Sequence, residues 1–194
     1  MEIVGYCEDS KNEKYLERRS RDIIEFVRIG NEYYGANKLY IGNFDRLSYL
    51  LEDEFVWIDC AGGGDYNFDA IKSSIKYDMV FCFELLEHVQ NPLFLLKGLV
   101  DIIKDTGVIY LSTPHRPRWM WPDYHYNEIS AKHMQKWLLD PLNLEIIRKK
   151  KLRVIQHWSD YLIGVRPILR AIKNRSLKEI IGKLTNTTWI YEIR

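Results

Sequence analysis

Two segments constrain this chain more than any others. Tyr77–Phe83 is apolar throughout except for Asp78, and Gly107–Leu111 repeats the pattern before Ser112-Thr113-Pro114. A strand with one wet face alternates apolar and polar residues, whereas a continuously apolar run reads as a strand buried on both faces, as in a parallel sheet covered by helices. Residues 85–104, between the two runs, read as a helix, which gives strand, helix, strand.

The same alternation extends outward. Tyr15, Leu16, Ile23, Ile24, Phe26 and Val27 fall at helical spacing among charges, with Ser10 or Asn12 as N-cap and Gly30 as a stop, which predicts an amphipathic helix over 12–29. Lys38–Ile41 reads as a short strand ending at Gly42, and Leu47–Leu51 returns to helical spacing. Phe55-Val56-Trp57-Ile58 is a β-branched and aromatic run that ends at Asp59 and enters the breaker cluster Ala61-Gly62-Gly63-Gly64. Farther on, Glu128–Leu139 reads as a helix with Trp137 and Leu138 inward and Leu144–Val154 as a basic strand. Residues 158–184 read as one or two basic helices, and Thr187–Ile193 as a closing strand. The expected fold class is α/β: a doubly wound, mostly parallel sheet of Rossmann-like type, shortened, with a basic helical insertion near the C-terminus and ligands at the carboxyl ends of the strands.

At 194 residues, 46% of them hydrophobic, the chain has the size and composition of one soluble globular domain. We divide it into an N-terminal helical cap (1–36), a core (37–140) and a basic part that completes the sheet (141–194). No apolar stretch is long enough for a signal peptide or a membrane span, so a cytoplasmic location is expected. Cys7, Cys60 and Cys82 are an odd number in no metal-like spacing and imply no disulfide framework. The net charge of +1 hides an asymmetry, since residues 148–194 hold 12 of the 28 Lys and Arg but 3 of the 27 Asp and Glu. Such a run is either a solvated basic face or a surface for an anionic partner, with nucleic acid along residues 148–178 as one candidate.

The segment Tyr77-Asp78-Met79-Val80-Phe81-Cys82-Phe83-Glu84-Leu85-Leu86-Glu87-His88-Val89-Gln90-Asn91-Pro92, followed by Gly107-Val108-Ile109-Tyr110-Leu111-Ser112-Thr113-Pro114, resembles the class I S-adenosylmethionine-dependent methyltransferases. In that family an aromatic-Asp pair opens the fourth strand, E-x-x-E-H follows it, and a Gly-hydrophobic-Ser-Thr-Pro strand is the fifth. The resemblance covers about residues 38–140 and implies methyl transfer to an oxygen or nitrogen of a small or anionic acceptor. It places the first strand at Lys38–Ile41 and the cofactor loop at Gly42-Asn43-Phe44-Asp45-Arg46. The second glycine of the family's Gly-x-Gly is absent there, and glycine normally lets the backbone pass close to the cofactor. In this register Asp59 takes the ribose hydroxyls, Asp69 or Asn67 faces the adenine, and Phe83 lies beside the cofactor. An alternative register makes Asp59-Cys60-Ala61-Gly62-Gly63-Gly64 the cofactor loop. A methyltransferase-shaped binding or scaffold protein that has lost its cofactor is the alternative function.

Glu84, Glu87 and His88 stand at i, i+3 and i+4, so on a helix they share one face, and two carboxylates with an imidazole suit a divalent metal. Here the chain looks like the ubiquinone-biosynthesis O-methyltransferases and the small-RNA 2′-O-methyltransferases, in which such a segment holds a metal. By that resemblance His125, in Tyr124-His125-Tyr126-Asn127-Glu128, is a fourth ligand or a catalytic base. His115, directly after Ser112-Thr113-Pro114, is a second candidate base.

Overall fold

The computed structural model describes residues 21–23, 25–27, 37–42, 56–59, 76–116, 118–121, 123, 125–153 and 187–194. Strands β1 (Lys38–Gly42), β2 (Val56–Asp59), β3 (Tyr77–Phe83), β4 (Ile103–His115), β5 (Ile146–Arg153) and β6 (Thr187–Ile193) form one sheet in the order β2-β1-β3-β4-β6-β5. The first four are mutually parallel, and β6 runs antiparallel to both β4 and β5. This is the doubly wound, mostly parallel arrangement expected, with a reversed strand at one side.

Within β3, alternate residues serve opposite faces. Val80 and Cys82 join Leu39, Ile41, Ile109, Leu111, Tyr191 and Ile193 under α1 (Pro92–Ile102), whose Leu95, Leu96 and Leu99 are fully buried. Met79, Phe81 and Phe83 join Tyr40, Val108, Tyr110 and Ile190 on the other face, covered by Ile23, Phe26 and Val27 of the helical residues 21–23 and 25–27. The rest of the expected first helix, 12–20 and 28–29, lies outside the described residues, as do the helix over 47–51, the glycine cluster 61–64 and the basic helices over 158–184. No described helix is long and apolar enough to cross a membrane.

The one polar residue of the β3 run sits at a register shift between Tyr77 and Met79. There the Asp78 carboxylate accepts from the backbone N–H of Asn37 (2.9 Å) and from Lys104 Nζ (2.8 and 2.9 Å), so it clasps the starts of β1 and β4 to β3. The Lys104 hydrogen bond, chiefly, holds the Asp78 carboxyl below the usual carboxylate range.

Three helical readings need correction. Residues 85–104 are not one helix: Leu86–His88 form a single 3-10 turn, α1 starts only at Pro92, and residues 103–104 already belong to β4. Proline lacks the N–H and clashes with the preceding turn, so it is confined to a helix start, where Asn91 caps it by accepting from Phe94 N at 3.0 Å. The helix expected from Glu128 starts at Ala131 (α2, Ala131–His133), capped by Ser130, and continues as a π-helical stretch, Met134–Leu139. The wider π turn carries Met134, Leu138 and Leu139 into the core and leaves Trp137 56% exposed, stacked on His133 at 4.0 Å, whereas the α spacing had put Trp137 inward.

The basic strand β5 is largely answered within the fold. Arg148 bonds Glu192 Oε2 (2.6 Å) and lies 4.6 Å above the Phe26 ring, while Lys150 reaches Glu25 (3.3 Å). Lys150 also lies 4.0 Å from Asp22, and Lys149 and Lys151 remain exposed. The basic run thus spends half of its strand on internal pairing rather than on an anionic partner.

Two outcomes follow from this packing. Since Asp78 has a folded pKa below its unfolded value, its contribution is fully present above about pH 4 and is lost as pH falls through the folded pKa. Thermal melts of Asp78→Asn should therefore lie below wild type at neutral pH, with the gap closing on acidification. A Cβ on Gly107 would meet Ile103 Cγ1 and stand 2.9 Å from the Lys104 carbonyl oxygen. Gly107→Ala should accordingly cost about 1–3 kcal/mol in denaturant unfolding.

Candidate active site

Gly42 pairs with Asp59, and Ile41 pairs with Cys82, so β1, β2 and β3 end together at one edge of the sheet. From β1 the chain goes to β2 on one side and later to β3 on the other. Crevices at such a switch point are where open α/β sheets take ligands. The strand order also decides the register, because Lys38–Gly42 stands between β2 and β3 while Val56–Asp59 lies outside it and pairs only with β1 among the described residues. The alternative register, with 59–64 as the cofactor loop, needs Val56–Asp59 in the inner position and is excluded by this order. Asn43, Asn67 and Asp69 lie outside the described residues. Phe83 is buried, its ring edge-on to Tyr40 (6.0 Å) and Phe81 (5.8 Å).

Directly after β3 the backbone turns left-handed at Glu84, with φ 49°. A side-chain-bearing residue adopts this conformation at a cost and needs its surroundings to hold it. Ser112, opposite in β4, does so: its carbonyl and its hydroxyl each accept from the Glu84 N–H at 3.1 Å, and its hydroxyl donates to Glu84 Oε1 at 2.8 Å. The turn removes the helical face expected for Glu84, Glu87 and His88. Glu84 goes to Ser112, while the 3-10 turn carries Glu87 and His88 onward.

There they meet His125. Ligand-capable atoms of Glu87, His88 and His125 lie within 4.8 Å of one another, and the two imidazoles pack edge to face at 4.7 Å. Three of the four residues read as metal ligands thus come together, and Glu84 is not among them. One carboxylate and two imidazoles form a donor set that suits a divalent transition ion. Two ligands at about 2.1 Å from one ion stand no more than about 4.2 Å apart, so the group needs a small inward shift to close on an ion.

The loop after β4 is docked to make this meeting. Tyr126 N (2.7 Å) and Asn127 N (3.3 Å) donate to the Glu87 carbonyl, and Asn127 Nδ2 donates to the Val89 carbonyl at 2.7 Å. Behind His125 lies Glu128, its side chain fully buried. Glu128 Oε1 stands 2.8 Å from His125 Nδ1 and takes Arg116 Nε at 2.9 Å and Arg116 Nη2 at 2.7 Å. Burial, chiefly, pushes the His125 pKa down; His88 and Arg116 act in the same direction, and Glu128 opposes them. The imidazole is therefore neutral near neutral pH.

His115 ends β4 beside Thr187 of β6, whose hydroxyl donates to its carbonyl at 3.4 Å. No described hydrogen bond joins it to the Glu87, His88 and His125 group. Arg116, next along the chain, is committed to Glu128. Ser112, Asn127 and Glu128 were not singled out as site residues. The sequence reading puts His125 in the loop and Glu128 at the start of a helix, which separates two residues that stand 2.8 Å apart.

The methyltransferase domain family matches residues 12–150 of the chain. A ubiquinone biosynthesis O-methyltransferase of Shewanella pealeana is 42% identical over 41 residues, 21% of this chain and 17% of that protein. One from Rickettsia canadensis is 34% identical over 70 residues, 36% of this chain and 28% of its own length. The chain thus spans under a third of the curated relatives it matches. Among solved structures, the O-methyltransferase from a trans-AT PKS multienzyme of Brevibacillus brevis, in complex with S-adenosyl-L-homocysteine, aligns at TM-score 0.56 and 11% identity over 100% of this chain and 81% of its own. The magnesium protoporphyrin IX methyltransferase of Synechocystis PCC 6803, also with bound S-adenosylhomocysteine, aligns at 0.55 and 8% over 98% and 90%. The cyclase SpnF aligns at 0.57 and 10% over 98% and 85%, so the fold is shared beyond proteins named as methyltransferases. With the family matched over residues 12–150 and the fold shared with solved methyltransferases, the chain belongs to the class I methyltransferase domain family.

Proposed function

We propose that the protein transfers a methyl group from S-adenosylmethionine to an oxygen of a small acceptor, with a divalent ion held by Glu87, His88 and His125. The observation that carries this reading is the gathering of those three side chains from two separate segments of the chain, Glu87 and His88 after β3 and His125 after β4. The relatives named as O-methyltransferases and the neighbours solved with S-adenosylhomocysteine support it.

The described strand ends fit the cofactor. Asp59, in register with Gly42 on the neighbouring strand, is the residue we assign to accept the ribose hydroxyls. Asn43 and Asp69 belong to the same proposal as contacts to the methionine part and the adenine, and Phe83 closes β3 at the side of the crevice. When bound, S-adenosylmethionine supplies an electrophilic methyl on sulfonium sulfur, and a divalent ion supplies a Lewis acid that favours the deprotonated form of an acceptor hydroxyl. The chain's part is alignment of acceptor with methyl. Neutral His125 has a lone pair to give to a cation, and buried Glu87 balances the charge. His115, half-exposed at the carboxyl end of β4, is the group we assign to take the acceptor's proton. With the cofactor bound, the acceptor oxygen would take the methyl carbon as the carbon–sulfur bond broke, the electron pair staying on sulfur.

Calorimetric titration with S-adenosylhomocysteine should show binding by the wild type and at least about 10-fold weaker binding by Asp59→Ala, a loss of about 1.4 kcal/mol. No binding with or without Mg²⁺ or Mn²⁺ would overturn the methyltransferase reading. In the same protein, Mn²⁺ bound by the wild type should be lost in His88→Ala and Glu87→Gln while S-adenosylhomocysteine binding persists. Equal Mn²⁺ binding in all three would remove the metal from the proposal and leave the cofactor.

A further inference from the structure

We propose that Glu128 is a positioning residue, whose buried carboxylate, neutralised by Arg116, fixes the His125 ring with its proton on Nδ1 and turns Nε2 toward Glu87 and His88. This rests on the metal reading above for its purpose, but the geometry that carries it is independent of any ion. Glu128 Oε1 stands 2.8 Å from His125 Nδ1. An ionised carboxylate has no proton to donate, and two lone pairs facing each other at that distance repel, so Nδ1 carries the hydrogen. Arg116 Nη2, with two hydrogens, is also near Nδ1 at 3.1 Å, but the shorter contact of Nδ1 is with Oε1, which only accepts, and that contact sets the tautomer.

Stability alone does not account for the arrangement. A buried carboxylate with a guanidinium is costly to desolvate, and an apolar pair of similar volume often serves a fold as well or better. The loop has no need of Glu128 for its placement, since Tyr126 N, Asn127 N and Asn127 Nδ2 already dock it on Glu87 and Val89. What is left for Glu128 is the ring of His125. Its second oxygen, Oε2, is buried with no hydrogen-bond partner among the described residues, so the carboxylate is held at the His125 end rather than satisfied all round. An imidazole free in water favours the proton on Nε2, which would leave that nitrogen no lone pair for a cation. Fixing the tautomer through the far nitrogen is how carboxylates behind metal-ligating histidines act, and removing such a partner typically costs about 10–100-fold in metal affinity.

The test is ¹⁵N NMR of the histidine side chains in the metal-free full chain, followed by Mn²⁺ titration. His125 should carry its proton on Nδ1 in the wild type and in Glu128→Gln, whose amide oxygen still accepts, and mainly on Nε2 in Glu128→Ala. Mn²⁺ should bind about 10–100-fold more weakly to Glu128→Ala, with Glu128→Gln between it and wild type. A wild-type proton on Nε2, or the same tautomer in Glu128→Ala as in wild type, overturns the proposal even if Mn²⁺ affinity falls. Should Glu128→Ala not fold, Glu128→Leu keeps the volume and the wild-type tautomer still decides. A wild type that shows the Nδ1 proton yet binds no Mn²⁺ sinks the metal reading and leaves the positioning of His125 by Glu128 standing.

Discussion

The chain leaves the sheet after Phe83 through a left-handed residue, Glu84, held by both the backbone and the hydroxyl of Ser112 across the β3–β4 pair. Because the backbone reverses there, Leu85 and Leu86 drop into the core and Glu87 and His88 are delivered to the loop that carries His125. Had residues 84–88 been a regular helix, the two acids and the histidine would have shared one face instead. The turn thus separates Glu84 from the other two and sets where the candidate metal ligands stand. An ordinary helical start would avoid the strain, so its retention marks a place where geometry matters more than local ease.

The two ends of the parallel strands are treated differently. At the amino end Asp78 ties β1 and β4 to β3 with charge-assisted bonds to Asn37 N and Lys104, both side chains partly exposed, where such bonds are inexpensive. At the carboxyl end the charges lie deeper: Glu128 is fully buried, with Arg116 and His125 around it. Buried charges survive only when paired, and here the pairing serves a ring rather than the sheet. A third pairing, Arg148 with Glu192, links β5 to β6 and lays the guanidinium over Phe26, so the basic strand is bound to the helix that covers its face.

The fold by itself leaves the reaction open, as a cyclase among the structural neighbours illustrates. The functional argument therefore rests on the site: strand ends in register at the switch point, and beside them a carboxylate and two imidazoles brought together by a docked loop.

The sequence by itself determined the sheet. Period-two packing of continuously apolar runs cannot be satisfied except between two covered faces, so Tyr77–Phe83 and the run from Gly107 were legible as inner strands, and Thr187–Ile193 was found with the bounds the sheet gives it. The motif residues Glu87, His88 and His125 were legible too, since chemistry-bearing residue types survive in the letters. The helix boundaries were decided elsewhere: Pro92 marks the start of α1, although the apolar pattern runs on through both sides of it, and the π turn that exposes Trp137 depends on what packs beneath Met134 and Leu139. Only the tertiary structure decided that Glu84 parts from its neighbours for Ser112, that Arg116 answers Glu128, and that Lys38–Gly42 is the inner strand. Those are contacts between segments far apart in the chain, and local spacing carries no information about which distant carboxylate or hydroxyl a side chain will meet.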